Sequence, residues 1–134
     1  MCGEADGLVA NKSVFDKYVI PLPTDYESFV SARREFEKVG VRGFVADFEY
    51  DYSCMEALQG CAIPELMTME GTMWRAEYES ETADGQVGLD DKVWNKVFDK
   101  FEQYMKDTMI RPEDIEMSFD DMKSGLLEGR TAIM

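Results

Sequence analysis

The 134-residue chain contains no histidine. That absence removes the side chain that most readily exchanges a proton near neutral pH, every Ser–His or Cys–His nucleophile pair, and the commonest metal ligand. Cysteine is sparse. Cys2, Cys54 and Cys61 are odd in number and form no closely spaced ligand set, which points to reduced thiols rather than a disulfide frame or a zinc site. No glycine-rich phosphate loop is present. No apolar run approaches the ~20 residues that span a bilayer, and the start MCGEADGLVANK lacks the basic residues and apolar stretch of a secretory signal. A soluble, cytoplasmic protein is expected, with no cofactor, no metal and no catalytic residues.

Positive charge is also scarce. Fourteen Lys and Arg stand against 28 Asp and Glu, a net charge of −14. A surplus of this sign opposes direct binding to nucleic acid, which needs cations to neutralise phosphates, and opposes docking on an anionic membrane. It suits a basic protein partner. The remaining composition, 45% hydrophobic and 12% aromatic, is that of a folded chain long enough to bury one core.

Periodicity divides the chain into six elements. A polar stretch over 1–12 reads as a flexible arm. SVFDKYVIPLP (13–23) is β-branched and aromatic and is closed by Pro21 and Pro23, as a strand exit is. Thr24 and Glu27 form a capping-box pair ahead of an apolar stripe of Phe29, Val30 and Phe36, with Gly40 as the stop, so a helix is expected over 24–39. GFVADFEYDY (43–52) alternates strictly, with Phe44, Ala46, Phe48, Tyr50 and Tyr52 on one parity and Val45, Asp47, Glu49 and Asp51 on the other. Residues 53–66 read as a short helix and loop insertion. A second alternating run over 67–81 sets Trp74, Ala76 and Tyr78 against Met73, Arg75, Glu77 and Glu79. The clearest helix covers 90–108, where Trp94, Val97, Phe98, Phe101 and Met105 recur at spacings of three and four. RPEDIEMSFDD (111–121) alternates again, and 122–134 reads as a C-terminal tail. The order β-α-β-β-α-β in a single domain predicts an α+β, ferredoxin-like sandwich: a four-stranded antiparallel sheet with two helices on one face.

Three local patterns are weaker. The Met-Cys-Gly start resembles the N-terminus of glutamine amidotransferases whose nucleophilic cysteine follows the initiator Met, but no substrate-binding motif accompanies it and Cys2 is read as incidental. SETADGQVGLDD (80–91) can be laid on a calcium loop, yet hydroxyls replace two carboxylates, Asp91 stands where a bidentate Glu belongs, and the flank reads as strand. It is read as a turn built on Asp84 and Gly85. Ten methionines could furnish an adaptable surface, although Met105, Met109 and Met117 fall at core spacing.

The functional expectation comes from the parity of the acids. Both expected helices are close to neutral, so nearly all the net charge falls elsewhere. Asp47, Glu49 and Asp51, then Glu77 and Glu79, then Asp114, Glu116 and Asp120, all lie opposite the aromatic parity and would share one sheet face. The plain reading is a solvated face. The sharper one is a carboxylate array with same-side spacing of about 6.8 Å along a strand, fit to occupy a basic, nucleic-acid-handling protein by mimicry. Phage anti-restriction and anti-CRISPR inhibitors are proteins of this general kind. The chain is therefore expected to act as a non-catalytic inhibitor or regulator through those eight acids, as a monomer or small homo-oligomer. The alternative is a small-molecule domain, or a cofactor-free enzyme, with a pocket between sheet and helices lined by Tyr50, Tyr52, Trp74 and Tyr78.

Overall fold

A computed structural model describes residues 7–46, 48–80 and 87–134. In order, the described elements are α1 (Lys12–Tyr18), α2 (Tyr26–Lys38), β1 (Arg42–Phe44), α3 (Asp51–Leu66), α4 (Met69–Tyr78), α5 (Lys92–Thr108), α6 (Pro112–Ile115), α7 (Phe119–Leu127) and β2 (Thr131–Ile133). The ferredoxin-like expectation is thereby overturned. Helices dominate, and the two strands pair in parallel, Arg42 with Thr131 and Phe44 with Ile133. Three of the four expected strands are helical for most of their length, and the fourth keeps only its first residues as β1.

Each correction has a local cause. Residues 12–18 coil because the Asn11 side chain accepts from the Val14 amide at 3.3 Å and nucleates a turn despite the β-branched content. Residues 69–78 coil behind Thr68, whose hydroxyl accepts from the Gly71 amide at 3.1 Å. The last alternating run is split between α6, with Pro112 in its first turn, and α7, where the Ser118 hydroxyl accepts from the Asp121 amide. Helix α3 begins inside the acidic stretch, with Tyr50 as its N-cap, and continues through Pro64 for sixteen residues. The two expected helices are present as α2 and α5. The cap of α2 lies one residue later than expected: Asp25 accepts from the Ser28 amide, and the Ser28 hydroxyl accepts from the Asp25 amide.

The described residues form two compact units, one comprising 1–49 and 107–134 and the other 50–106. In the first, β2 is the middle strand: β1 lies parallel on one side and residues 9–11 lie antiparallel on the other, with Val9 and Met134 exchanging both backbone hydrogen bonds. The residues expected to be a tail thus supply the central strand, and all three of its side chains are buried. Phe15, Phe36, Phe44, Met122 and Ile133 are almost wholly enclosed, with Phe15 edge-on to Phe36 at 4.8 Å and Phe29 edge-on to Phe44 at 5.3 Å. Each such side chain contributes about 1.5–3 kcal/mol. Gly43 is required where β1 meets α2, because a Cβ there would lie 2.4 Å from the Arg33 carbonyl oxygen.

In the second unit α3 and α4 form a hairpin. Gly71 seats α4 against the end of α3, where a Cβ would lie 2.3 Å from the Glu65 carbonyl oxygen. Ala62, Trp74, Val93 and Val97 are its buried apolar side chains among the described residues. The face of α5 is therefore turned by one residue from the expected Trp94–Phe98 stripe. Phe98 remains 41% exposed.

Candidate functional site

The seven described acids of the expected eight are not gathered on a sheet, because no four-stranded sheet occurs among the described residues. Asp47 lies outside the described residues. Glu49 is exposed on the bend before α3, and Asp51 is the first residue of that helix. Glu77 and Glu79 are exposed at the C-terminal end of α4; Glu116 and Asp120 are exposed at the end of α6 and the start of α7. The acids once assigned to strands and loops are in good part helical.

Asp114 is the exception in burial, at 2% exposed. Its carboxylate pairs with the Arg42 guanidinium and accepts from the Arg111 amide at 2.7 Å. Arg42 also reaches Glu37 at 3.3 Å and donates to the Met109 carbonyl oxygen, and Arg111 meets Glu37 at 3.0 Å. Glu37 accepts in turn from the Gly43 amide. Two carboxylates and two guanidinium groups thus tie α2, β1 and α6 into a closed network. Nearby, Arg33 is 2% exposed, and its Nε and Nη1 have no hydrogen-bond partner among the described residues. Burial pulls its pKa down.

One cleft of about 460 Å³ lies along the outer side of α2, lined by Tyr26, Glu27, Ser31, Arg34, Lys38 and Asp107 among others. The volume suits a small ligand. Four of its charges, however, are matched in pairs: Asp107 meets Arg34 at 3.3 Å and accepts from the Tyr26 hydroxyl at 3.2 Å, and Glu35 meets Lys38 at 2.5 Å.

The aromatic residues of the second unit form two arrangements. Tyr50 and Tyr52 stack with ring centroids 5.4 Å apart and planes within 9°, and are 49% and 60% exposed. Trp74 stacks on Tyr78 at 5.1 Å, meets Trp94 edge-on at 5.6 Å, and donates its indole N–H to the Gly88 carbonyl oxygen. The alternative site expected from the sequence, a pocket between sheet and helices lined by Tyr50, Tyr52, Trp74 and Tyr78, loses its setting, since no sheet occurs among the described residues of this unit. The signal that would have found the Trp74–Tyr78 pair is its spacing of four, which is one helical turn.

No group of three or more potential metal ligands occurs among the described residues. Residues 81–86 of the expected 80–91 loop, and Cys2, lie outside them. Cys54 and Cys61 are free thiols on one helix, seven residues and therefore about 10.5 Å apart along its axis, too far for a disulfide. Burial pushes the Cys61 thiol up, which lowers its reactivity. No described helix is long and apolar enough to cross a membrane.

The chain matches no family model and none of the curated proteins. Among solved structures it resembles one named chitin oligosaccharide binding protein, with a TM-score of 0.67 and 15% sequence identity. The match covers 96% of this chain and 30% of that one, so the chain spans under a third of that structure's length. At this identity the likeness establishes a shared fold.

Proposed function

We propose that the chain is a non-catalytic binding module for an oligosaccharide, which holds sugar rings against aromatic faces of the 50–106 unit. The observation that carries this reading is the Tyr50–Tyr52 stack. Two parallel rings left half-exposed are an apolar surface that a folded protein seldom leaves uncovered without use, and each ends in a hydroxyl that can donate or accept. A sugar ring has the complementary character, with a C–H face for the aromatic surface and hydroxyls around its edge for polar neighbours. The fold's likeness to a protein named for binding chitin oligosaccharides supports the same class of ligand. The test is calorimetric titration with a length series of chitin oligosaccharides. Binding is expected to strengthen with length, and Tyr50→Ala with Tyr52→Ala is expected to weaken it about a hundredfold or more, since each ring removed takes away roughly 1.5–3 kcal/mol of apolar contact. Unchanged affinity in the double variant, or no binding by the unaltered chain, overturns the reading.

A second reading, association with a basic protein, is favoured by a separate observation. Glu77, Glu79, Glu116 and Asp120 are exposed and enter no ion pair among the described residues. In this reading Glu77 and Glu79 on the 50–106 unit, and separately Glu116 and Asp120 on the other unit, are acidic patches that steer a cationic partner, whose capture weakens as salt rises.

A further inference from the structure

The corner between α3 and α4 has an unusual surface. Ile63, Met67, Met69 and Met73 fall within eleven consecutive residues and are 59%, 69%, 79% and 66% exposed. They continue one another around the turn, because Gly71 presses the start of α4 onto the end of α3. On α4 the exposed side reads Met69, Met73, Glu77, one residue per turn. Unbranched thioether side chains conform to differently shaped apolar partners, and proteins that accept varied helices use them for this.

The charge around the corner is one-sided, for a reason visible in the ion pairs. Every lysine of this unit is committed within it. Lys92 and Lys96 both hold Glu70, at 2.5 and 2.6 Å, Lys100 holds Glu65, and Lys106 holds Glu102. Over residues 50–106 there are 12 acids and 5 bases. The carboxylates left over therefore have almost no free cation to answer them, and a partner covering the methionines must bring positive charge with it.

We infer that the α3–α4 corner docks a basic amphipathic helix, its apolar stripe on Ile63, Met67, Met69 and Met73 and its cations toward Glu77 and Glu79. This rests on the second reading above and is independent of saccharide binding. Docking of this kind combines an apolar stripe at helical spacing with charge of the opposite sign.

The probe is a synthetic peptide of about 18 Leu and Lys residues arranged with a 3.6-residue period, beside a scrambled peptide of identical composition. Binding is followed by calorimetry and by the emission of Trp74 and Trp94. The ordered peptide is expected to bind, to weaken with added salt, and to bind about tenfold more weakly to Met69→Ser with Met73→Ser, two exposed positions at which folding is not at stake. Glu77→Lys with Glu79→Lys is expected to lower the affinity and flatten its salt dependence. Equal binding of ordered and scrambled peptides overturns the docking corner and leaves the acidic-surface reading standing. Binding of neither peptide overturns both.

Discussion

Asp114 and Arg33 lie in the same compact unit and pose opposite electrostatic problems. Asp114 is buried with its charge answered by Arg42 and by the Arg111 amide; Arg33 is equally buried with two of its nitrogens unanswered. Removing one partner of a matched buried pair leaves the other charge stranded, at a cost of about 3–5 kcal/mol. Asp114→Ala is therefore expected to destabilise the 1–49 and 107–134 unit by that amount in urea unfolding. Arg33→Met, which keeps most of the side-chain volume and removes an unpaired charge, is expected to leave stability unchanged or raise it by ~1 kcal/mol or more. A loss on Arg33→Met comparable to that of Asp114→Ala would show that the guanidinium has an essential partner.

At the scale of elements, α4 is clamped to α5 by one carboxylate. Hydrogen bonds from Lys92 and then Lys96 pull the pKa of Glu70 down from its ordinary 4.5 to about 2. A carboxyl depressed on folding contributes stability that is fully present above its unfolded value and is lost as pH falls through its folded value. Docking of α4 on α5, followed by the near-ultraviolet dichroism of Trp74 and Trp94, is thus expected to weaken between pH 4.5 and about 2. Glu70→Gln should remove that step, and an unaltered acid profile in the variant would assign the loss to other groups. The same elements explain what the sequence could and could not tell. Helices α2 and α5 are long enough for a 3.6-residue period to declare itself. In α4 the apolar residues Trp74, Ala76 and Tyr78 stand two and four apart, and a spacing of four is common to a strand read every second residue and to one helical turn. Trp74 and Tyr78 satisfy both, whereas Ile115 and Phe119, which share a parity in the last run, belong to separate helices, α6 and α7. The deciding residues are the caps Thr68 and Ser118, polar members of those runs whose side chains accept from the Gly71 and Asp121 amides. The shared acidic sheet face falls with the strands that were to hold it, and Tyr50 and Tyr52, expected on an enclosed aromatic side, are exposed at the start of α3.

For the molecule as a whole, charge is the dominant peculiarity. The surplus divides evenly, −7 in each unit, so neither half neutralises the other. Self-repulsion of this size opposes compaction, and salt relieves it over distances beyond the Debye length of about 10 Å at 0.1 M. The melting temperature is expected to rise with added sodium chloride. A fall would mean that short ion pairs such as those of Glu70 outweigh the general repulsion.

The order of segments along the chain has a consequence for synthesis. The 50–106 unit is continuous, and every residue of its core has been made once Lys106 is in place. The other unit is interrupted: β1 is made before the inserted 50–106 segment, whereas β2, which lies between β1 and residues 9–11, is made after it. On the ribosome the inserted helices can therefore reach their native packing while Phe36, Phe44 and Val45 still await the strand that covers them. Until Thr131–Ile133 arrives, that apolar surface is open to chaperones and to other nascent chains.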